Sequence, residues 1–162
     1  MTSASVKAPH EPKLNRVTGP YQVTSTLVKI QTGQREELHN LTNLVHNFVK
    51  SSGIQDGLVN IASLHTTTGI LIGEWQDALN HDFKTFLAET IRKDTYYRHN
   101  DPAWSDCDRH NADSHLRSSI LGISLSLQVA GGDLVLGEWQ SVIMAELDGP
   151  RERSVRLQIM GI

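Results

Sequence analysis

The sequence has few of the features that would indicate export, membrane insertion or nucleic-acid binding. Its one cysteine, Cys107, cannot close a disulfide within the chain, so the fold does not require an oxidising compartment. The net charge is -3 at pH 7, without the basic excess that nucleic-acid binders use to meet phosphates. No apolar run is long enough to cross a bilayer, and the first residues lack the apolar core of a signal peptide. These absences predict a cytoplasmic protein with no nucleic-acid or membrane partner.

Two common catalytic motifs are also missing. The sequence contains no glycine-rich phosphate loop, because Gly131-Gly132 lies where a hairpin turn is expected. It contains no serine-nucleophile motif either. A functional site is therefore expected among other residue types.

The length of 162 residues is that of one domain. Residues 1–17 are polar and contain proline, which predicts a flexible N-terminal arm before a folded domain over 18–162. Alternating apolar residues predict strands, and helical spacing predicts amphipathic helices. The strands are expected at 21–31, 58–65, 69–74, 123–129, 134–147 (one long strand or a bent pair) and 154–159, and the helices at 35–51, 77–93 and, more briefly, 112–121. Thr32 is expected to cap the first helix, Gly53 to end it and Asn111 to cap the short one. This order predicts an α+β fold, a single compact domain with a mostly antiparallel sheet packed against two amphipathic helices plus one short helix.

The stretch over 98–116 is unusually rich in groups that bind metals or move protons. It holds three of the eight histidines, four aspartates and Cys107. A surface loop does not need three imidazoles for its turns. We therefore expect this stretch to supply one part of a site and His65, at the end of a predicted strand, to supply the other.

Three imidazoles are enough for a zinc site that keeps one position for water. His65 and His115 are candidate ligands, and either His99 or His110 could be the third. Cys107 is a softer candidate ligand or simply a partly exposed thiol. The alternative is that the histidines pair with the neighbouring aspartates and stabilise a long loop without metal.

Acidic and basic residues follow in the last third of the chain. One face of the predicted strand over 134–147 carries Glu138, Gln140 and Glu146, and burying carboxylates requires partners such as Arg151 and Arg153. Two interpretations are open. Glu146 and Arg153 could form a structural ion pair across a hairpin, or Arg151 and Arg153 could hold a phosphate bidentately.

Five motifs in order resemble those of a known family, over residues 21–161: HTTTGILIGE, YRHNDP, NADSHLRSSILGISLSLQV, GDLVLGEWQSV and ELDGPRERSV. The chain resembles the YjbQ-type proteins, the secondary thiamine-phosphate synthase family. The resemblance implies a compact α+β fold, a homotrimer, and a metal site formed by His65, His99 and His115. On this basis His110, Cys107 and the aspartates are expected to shape the loop. The chain departs from the family at Gly73, where members commonly have Asn, and at Glu138, where they have Thr.

The resemblance also implies an activity, which joins a pyrimidine diphosphate to a thiazole phosphate with loss of diphosphate. We therefore expect a metal-dependent enzyme that acts on a phosphorylated small molecule with a divalent metal, zinc being favoured. Glu74 and Glu146 are candidate catalytic carboxylates, and Arg151, Arg153 and Gln140 are candidate substrate or anion ligands. The alternatives are a non-catalytic oligomeric ligand-binding protein and a hydrolase that uses a metal-bound water at the same histidines.

Overall fold

The structure is a computed structural model and describes residues 17–162, which form three α-helices and two antiparallel sheets. The predicted α+β fold is confirmed. The predicted arm over 1–17 lies outside the described residues, apart from Val17. None of the helices within the described range has both the length and the hydropathy needed to cross a membrane.

The described residues form eight strands and three α-helices. The strands are β1 (Gln22–Gln31), β2 (Glu37–Asn40), β3 (Gly57–Ser63), β4 (Thr68–Gly73), β5 (Ser124–Ala130), β6 (Asp133–Leu134), β7 (Ser141–Glu146) and β8 (Glu152–Gly161). The helices are α1 (Thr42–Ser52), α2 (Asp77–Thr90) and α3 (Ala112–Leu121), and Arg98–Asn100 forms one 3-10 turn. One sheet has the order β1-β8-β3-β5-β6 and the other β2-β7-β4.

The core lies between the two sheets and α1. Alternate residues of β3 and β8 point into it, because Val59, Ile61 and Ser63 are buried as their parity predicts. A smaller cluster forms where Leu87 of α2 meets Ala145 and Leu147. The three-stranded sheet is therefore covered on both faces.

The predicted helix over 35–51 is wrong in its first part. Residues Glu37–Asn40 form β2 and pair with β7, and the helix begins only at Thr42. The apolar spacing of Leu38 and Leu41 fits a helix, but pairing with the buried central strand β7 satisfies the backbone instead. Thr32 does not cap this helix, since its hydroxyl donates to Glu146 Oε2 (3.1 Å). The predicted end is confirmed, because Gly53 has a left-handed φ of 74°.

The segment over 134–147 is a bent pair rather than one strand. Strands β6 and β7 belong to different sheets, and residues 135–140 connect them. Glu138 lies in this connection and is exposed, whereas Glu146 ends β7 and is fully buried. Only one of the two carboxylates is therefore buried.

Helix α3 lies directly against β4, and this contact positions the site. A Cβ on Gly69 would stand 2.7 Å from Leu121 Cβ, so the close approach requires glycine. The hydroxyl of Ser118 donates to the Thr68 carbonyl oxygen (2.6 Å) across the same contact. The C-terminal half of α3 is thereby held against the start of β4.

Candidate functional site

A pocket of about 360 Å³ opens where the β3–β4 loop, the stretch before α3 and the β7–β8 turn meet. Its lining includes all three histidines predicted as ligands and both arginines predicted as anion holders. The lining residues are Leu64, His65, Thr66, Thr67, His99, Cys107, Arg109, Asn111, His115, Arg151 and Arg153. The fold brings His65 into the same pocket as residues of the stretch over 98–116, as predicted.

His65 follows the end of β3, and strand β8 fixes its ring. Its Nε2 atom accepts a hydrogen bond from the backbone N–H of Ser154 (2.8 Å). A neutral imidazole that accepts through Nε2 carries its proton on Nδ1. In this arrangement the Nδ1 atom of His65 is a hydrogen-bond donor.

His99 and His115 form a pair of rings. His99 lies in the 3-10 turn and His115 in the first turn of α3, with ring centroids 5.0 Å apart and planes at 83°. Asn100 holds the two elements together, because its Oδ1 accepts from the Ala112 N–H (3.0 Å) at the start of α3. Asn111 occupies the N-cap position of α3, as predicted, but its side chain makes no cap bond and donates to Asp148 instead (2.8 Å).

The pKa values of two pocket histidines are lowered. Burial is the main cause for His65, and the nearby Arg153 cation adds to it. Burial is also the main cause for His115, followed by the neighbouring His99. Both imidazoles are therefore neutral at pH 7, the form that offers a lone pair to a metal.

The three histidines have the right chemistry for zinc, but their rings do not converge on one point. Within residues 17–162, no three His, Cys, Asp or Glu side chains are arranged so that they could hold a metal ion. The Nε2 atom of His65 is engaged by the Ser154 amide. Metal binding would require this ring to leave Ser154, and the metal site stays a prediction.

Glu146 and Arg153 form a buried ion pair. Arg153 donates from Nε to Oε2 and from Nη2 to Oε1, each at 2.6 Å. Oε1 of Glu146 also accepts the N–H groups of Leu147 and Asp148, both at 2.8 Å. This geometry is that of a structural ion pair between Glu146 and Arg153. Both oxygens of Glu146 already accept hydrogen bonds, so neither is free to accept a substrate proton.

A second buried carboxylate, Asp148, forms ion pairs with three arginines. It is 1% exposed and lies 3.0 Å from Arg109 Nε, 3.2 Å from Arg151 Nη2 and 3.4 Å from Arg35 Nη1. Arg109 and Arg151 also line the pocket. The sequence reasoning missed Arg109. Its position in the stretch over 98–116 was the one signal that could have found it.

Glu74 and Gln140 lie at the other end of the three-stranded sheet. Thr68 pairs with Glu146 at the pocket end and Gly73 with Ser141 at the far end, a separation of about 17 Å for five residues. Glu74 borders a separate cavity beside α2. The structure therefore does not bring these two candidates to the histidines.

The positions of two further residues of the stretch over 98–116 show whether each reaches the pocket. His110 has a positive φ of 51°, is exposed and does not line the pocket. Cys107 does line it, and its Sγ lies 3.5 Å from Asn111 Oδ1. Of the two candidates for the third ligand, only His99 reaches the pocket.

Comparison with known proteins identifies one family. The family model described as UPF0047 protein YjbQ-like matches residues 26–162. A UPF0047 protein of Methanothermobacter thermautotrophicus is 39% identical over 140 residues, which are 86% of this chain and 94% of that protein. The UPF0047 protein YugU of Bacillus subtilis is 34% identical over 139 residues, 83% of this chain and 97% of that protein.

A solved structure has the same fold. The crystal structure of a YbjQ-like protein of unknown function from Sulfolobus solfataricus has a TM-score of 0.82 and 31% identity. The match covers 88% of this chain and 99% of that one. The family model and the relatives agree, and the chain belongs to the UPF0047, YjbQ-like family.

Proposed function

We propose that this protein is a metal-dependent enzyme that acts on a phosphorylated small molecule in the pocket beside α3. One observation carries the proposal: three imidazoles line the same pocket as two arginines that share the buried carboxylate of Asp148. Imidazoles and paired guanidinium groups together suit a ligand whose phosphate is bound or transferred.

The anion is assigned to Arg109 and Arg151. Arg153 is neutralised by Glu146, so it contributes little net charge to the pocket. Asp148 carries one negative charge against Arg35, Arg109 and Arg151, and Arg35 has a second carboxylate partner in Asp113 (3.2 Å). The surplus positive charge lies on the pocket wall, where guanidinium groups bind phosphate oxygens bidentately.

His65, His99 and His115 would hold the metal. Because the pKa values of His65 and His115 are lowered, their imidazoles need not lose a proton to act as ligands at neutral pH. When bound, zinc would supply Lewis-acid stabilisation of charge on the phosphate or would lower the pKa of a bound water. Arg109 and Arg151 would stabilise the negative charge on a departing phosphate or diphosphate.

The reaction that we favour is the joining of a pyrimidine diphosphate to a thiazole phosphate, as the family resemblance implies. A hydrolase with a metal-bound water and a non-catalytic ligand-binding protein are the alternatives. Product analysis separates them, because the transferase releases diphosphate and a joined product, the hydrolase releases phosphate, and the binding protein gives no turnover.

Phosphate binding by the intact protein tests the anion site. We expect Arg109→Gln to weaken binding of inorganic phosphate about tenfold, since one charge-assisted contact is lost. Arg92→Gln is the matched control, because Arg92 pairs with Asp94 on the exposed surface. Equal affinities of the two variants for inorganic phosphate would contradict the anion site, and with it the proposed function.

We further propose that the protein works in the cytoplasm as a homotrimer that packs through the open face of the five-stranded sheet. Val23 and Leu58 flank Met160 in one row of this face, and Leu27 lies in another row beside Arg156. Val23, Leu27 and Leu58 are each about half exposed.

We expect Leu58→Glu to dissociate the trimer in sedimentation experiments and Val135→Glu, in the 135–140 connection, to leave it intact. A monomeric wild type would contradict this.

A further inference from the structure

A cavity of about 200 Å³ lies between α2 and the three-stranded sheet. The sheet contributes Leu38, Leu71 and Ile143 to its lining, and α2 contributes Leu79 and Phe83. The cavity shares no lining residue with the pocket that holds the histidines. It is therefore a candidate site of its own, formed mainly by apolar side chains.

Helix α2 is buried against the sheet near its C-terminal end, and the cavity lies under its other half. Leu79, Phe83 and Leu87 are four residues apart, so they lie on one face of the helix. Leu87 is 3% exposed and packs against Ala145 and Leu147, whereas Leu79 is 45% exposed. A ligand in the cavity would cover apolar surface of Leu79 and Phe83 and remove it from water.

Gly73 leaves part of this space open. It lies two residues after Leu71 on β4, so a side chain at this position would point to the same face of the sheet as Leu71. Among the described residues, the one atom within 4 Å of a Cβ built on Gly73 is Cδ1 of Ile143, at 3.4 Å. The φ of Gly73 is not positive, so the backbone does not require glycine here. The missing side chain therefore adds room to the cavity beside Ile143.

The size and the charge of the lining define a ligand class. A cavity of about 150 Å³ lined by leucine, isoleucine and phenylalanine can hold benzene, so this cavity can hold an apolar body of similar size. Of the described residues that line it, only Glu74 is charged, and Asn80 adds an amide. Glu74 is exposed, so its carboxylate lies where the cavity meets water. That carboxylate attracts a cation and repels an anion.

We propose that this cavity binds a small primary amine. Its apolar body, about the size of one six-membered ring, lies between Leu71 and Ile143 of the sheet and Phe83 of α2, in the room left by Gly73. Its ammonium group meets the carboxylate of Glu74. The site is independent of the function proposed above, because it uses none of the histidines or arginines of the other pocket.

Two probes of the same shape test the site in the full-length protein. Cyclohexylmethylamine carries an ammonium group where cyclohexylmethanol carries a hydroxyl group. We expect both to give saturable shifts of the Leu79 and Ile143 methyl signals in NMR spectra. The amine should bind about fivefold more tightly, because it gains one exposed ion pair. Unchanged methyl signals with both probes, or equal affinities of the two probes, would overturn the proposal.

Glu74→Gln tests the position of the ammonium group. This variant should bind the amine and the alcohol with equal affinity, because the carboxylate is lost. Glu89→Gln is the matched control, since Glu89 is exposed on α2 and does not line the cavity. It should keep the fivefold preference for the amine. A preference that persists in Glu74→Gln, or that disappears in both variants, would overturn the assignment to Glu74.

Gly73→Val tests the room for the apolar body. The added side chain should weaken binding of both probes at least about tenfold, because it occupies space that the ring needs. Gly33→Val is the control: Gly33 does not line the cavity, and the nearest atom to its Cβ would be Glu37 Oε2 at 3.9 Å. Undiminished binding by Gly73→Val would overturn the site. A change of oligomeric state in Gly73→Val, measured by sedimentation, would assign the cavity to a contact between copies of the chain and would also overturn it.

Discussion

The backbone N–H of Ser154 on β8 donates to Nε2 of His65, 2.8 Å away. This bond orients the imidazole at the centre of the pocket and sets its tautomer, because the proton of the neutral ring is then on Nδ1. It also competes with metal binding for the same nitrogen lone pair. Nε2 of His65 can therefore accept the Ser154 N–H or bind a metal ion, but not both at once.

Zinc should break the bond between His65 and Ser154. We expect a zinc-dependent change in the amide signal of Ser154 and faster hydrogen exchange at that amide, because its acceptor is withdrawn. Heteronuclear NMR with and without zinc measures both. The amide of Arg156, two residues further along β8, provides the comparison within the same strand. A Ser154 amide signal that does not change with zinc would show that His65 keeps its hydrogen bond to Ser154.

Removing the charge of Glu146 should destabilise the fold. Glu146→Gln leaves Arg153, which is 2% exposed, as a buried cation without its carboxylate, at a cost of about 3–5 kcal/mol in the free energy of unfolding. Chemical denaturation measures the loss. Glu152→Gln is the control, because Glu152 pairs with Lys29 on the exposed surface and its loss should cost less than about 1 kcal/mol. Similar losses in both variants would contradict the structural role of Glu146.

The lowered pKa values of His65 and His115 predict a loss of stability in weak acid. The ordinary pKa is 6.5, and both folded-state values lie below it. Below pH 6.5 the unfolded chain takes up protons that the folded chain resists. The stabilising contribution is therefore complete above pH 6.5 and declines as the pH falls toward the folded-state pKa values.

Denaturation curves measured between pH 8 and pH 5 test this dependence. His115→Gln should flatten it, whereas His81→Gln, on the exposed surface of α2, should not. A slope that is unaffected by His115→Gln would show that other groups cause the acid sensitivity.

The contact between α3 and β4 should not tolerate a side chain at residue 69. In Gly69→Ala the new Cβ would stand 2.7 Å from Leu121 Cβ, so the helix would have to shift, at a cost of about 1–3 kcal/mol. Thermal unfolding measures the loss. Gly33→Ala is the control, because its nearest neighbour within 4 Å would be Glu37 Oε2 at 3.9 Å and its φ is not positive. Equal melting temperatures of the two variants would contradict the close packing.

Local patterns in the sequence are sufficient to predict most of the fold. Val59 and Ile61 stand at alternate positions of β3, on either side of Asn60, and both are buried, and Gly53 ends α1 as expected. The prediction failed at Leu38, whose spacing suits a helix but whose backbone pairs with Ala145 of β7. Strand pairing over more than 100 residues leaves no local signal, so periodicity could not detect it.

The site could be predicted only in part, for a related reason. His65 and His115 stand at the ends of regular elements, and the family motifs distinguished His99 from His110. Arg109 depends on Asp148, a partner 39 residues away that becomes its neighbour only when the chain folds. Glu74 was expected in the site as a catalytic carboxylate, but β4 runs between it and His65 and carries the two to opposite ends of the sheet.

Zinc affinity tests the central claim most directly. Equilibrium titration of protein that carries no histidine tag should give one zinc ion per chain. His99→Ala should weaken binding at least about 100-fold, since a pocket imidazole is lost, whereas His110→Ala in the same stretch should have no effect. Absence of zinc binding by the wild type, or equal effects of His99→Ala and His110→Ala, would contradict a metal site formed by His65, His99 and His115.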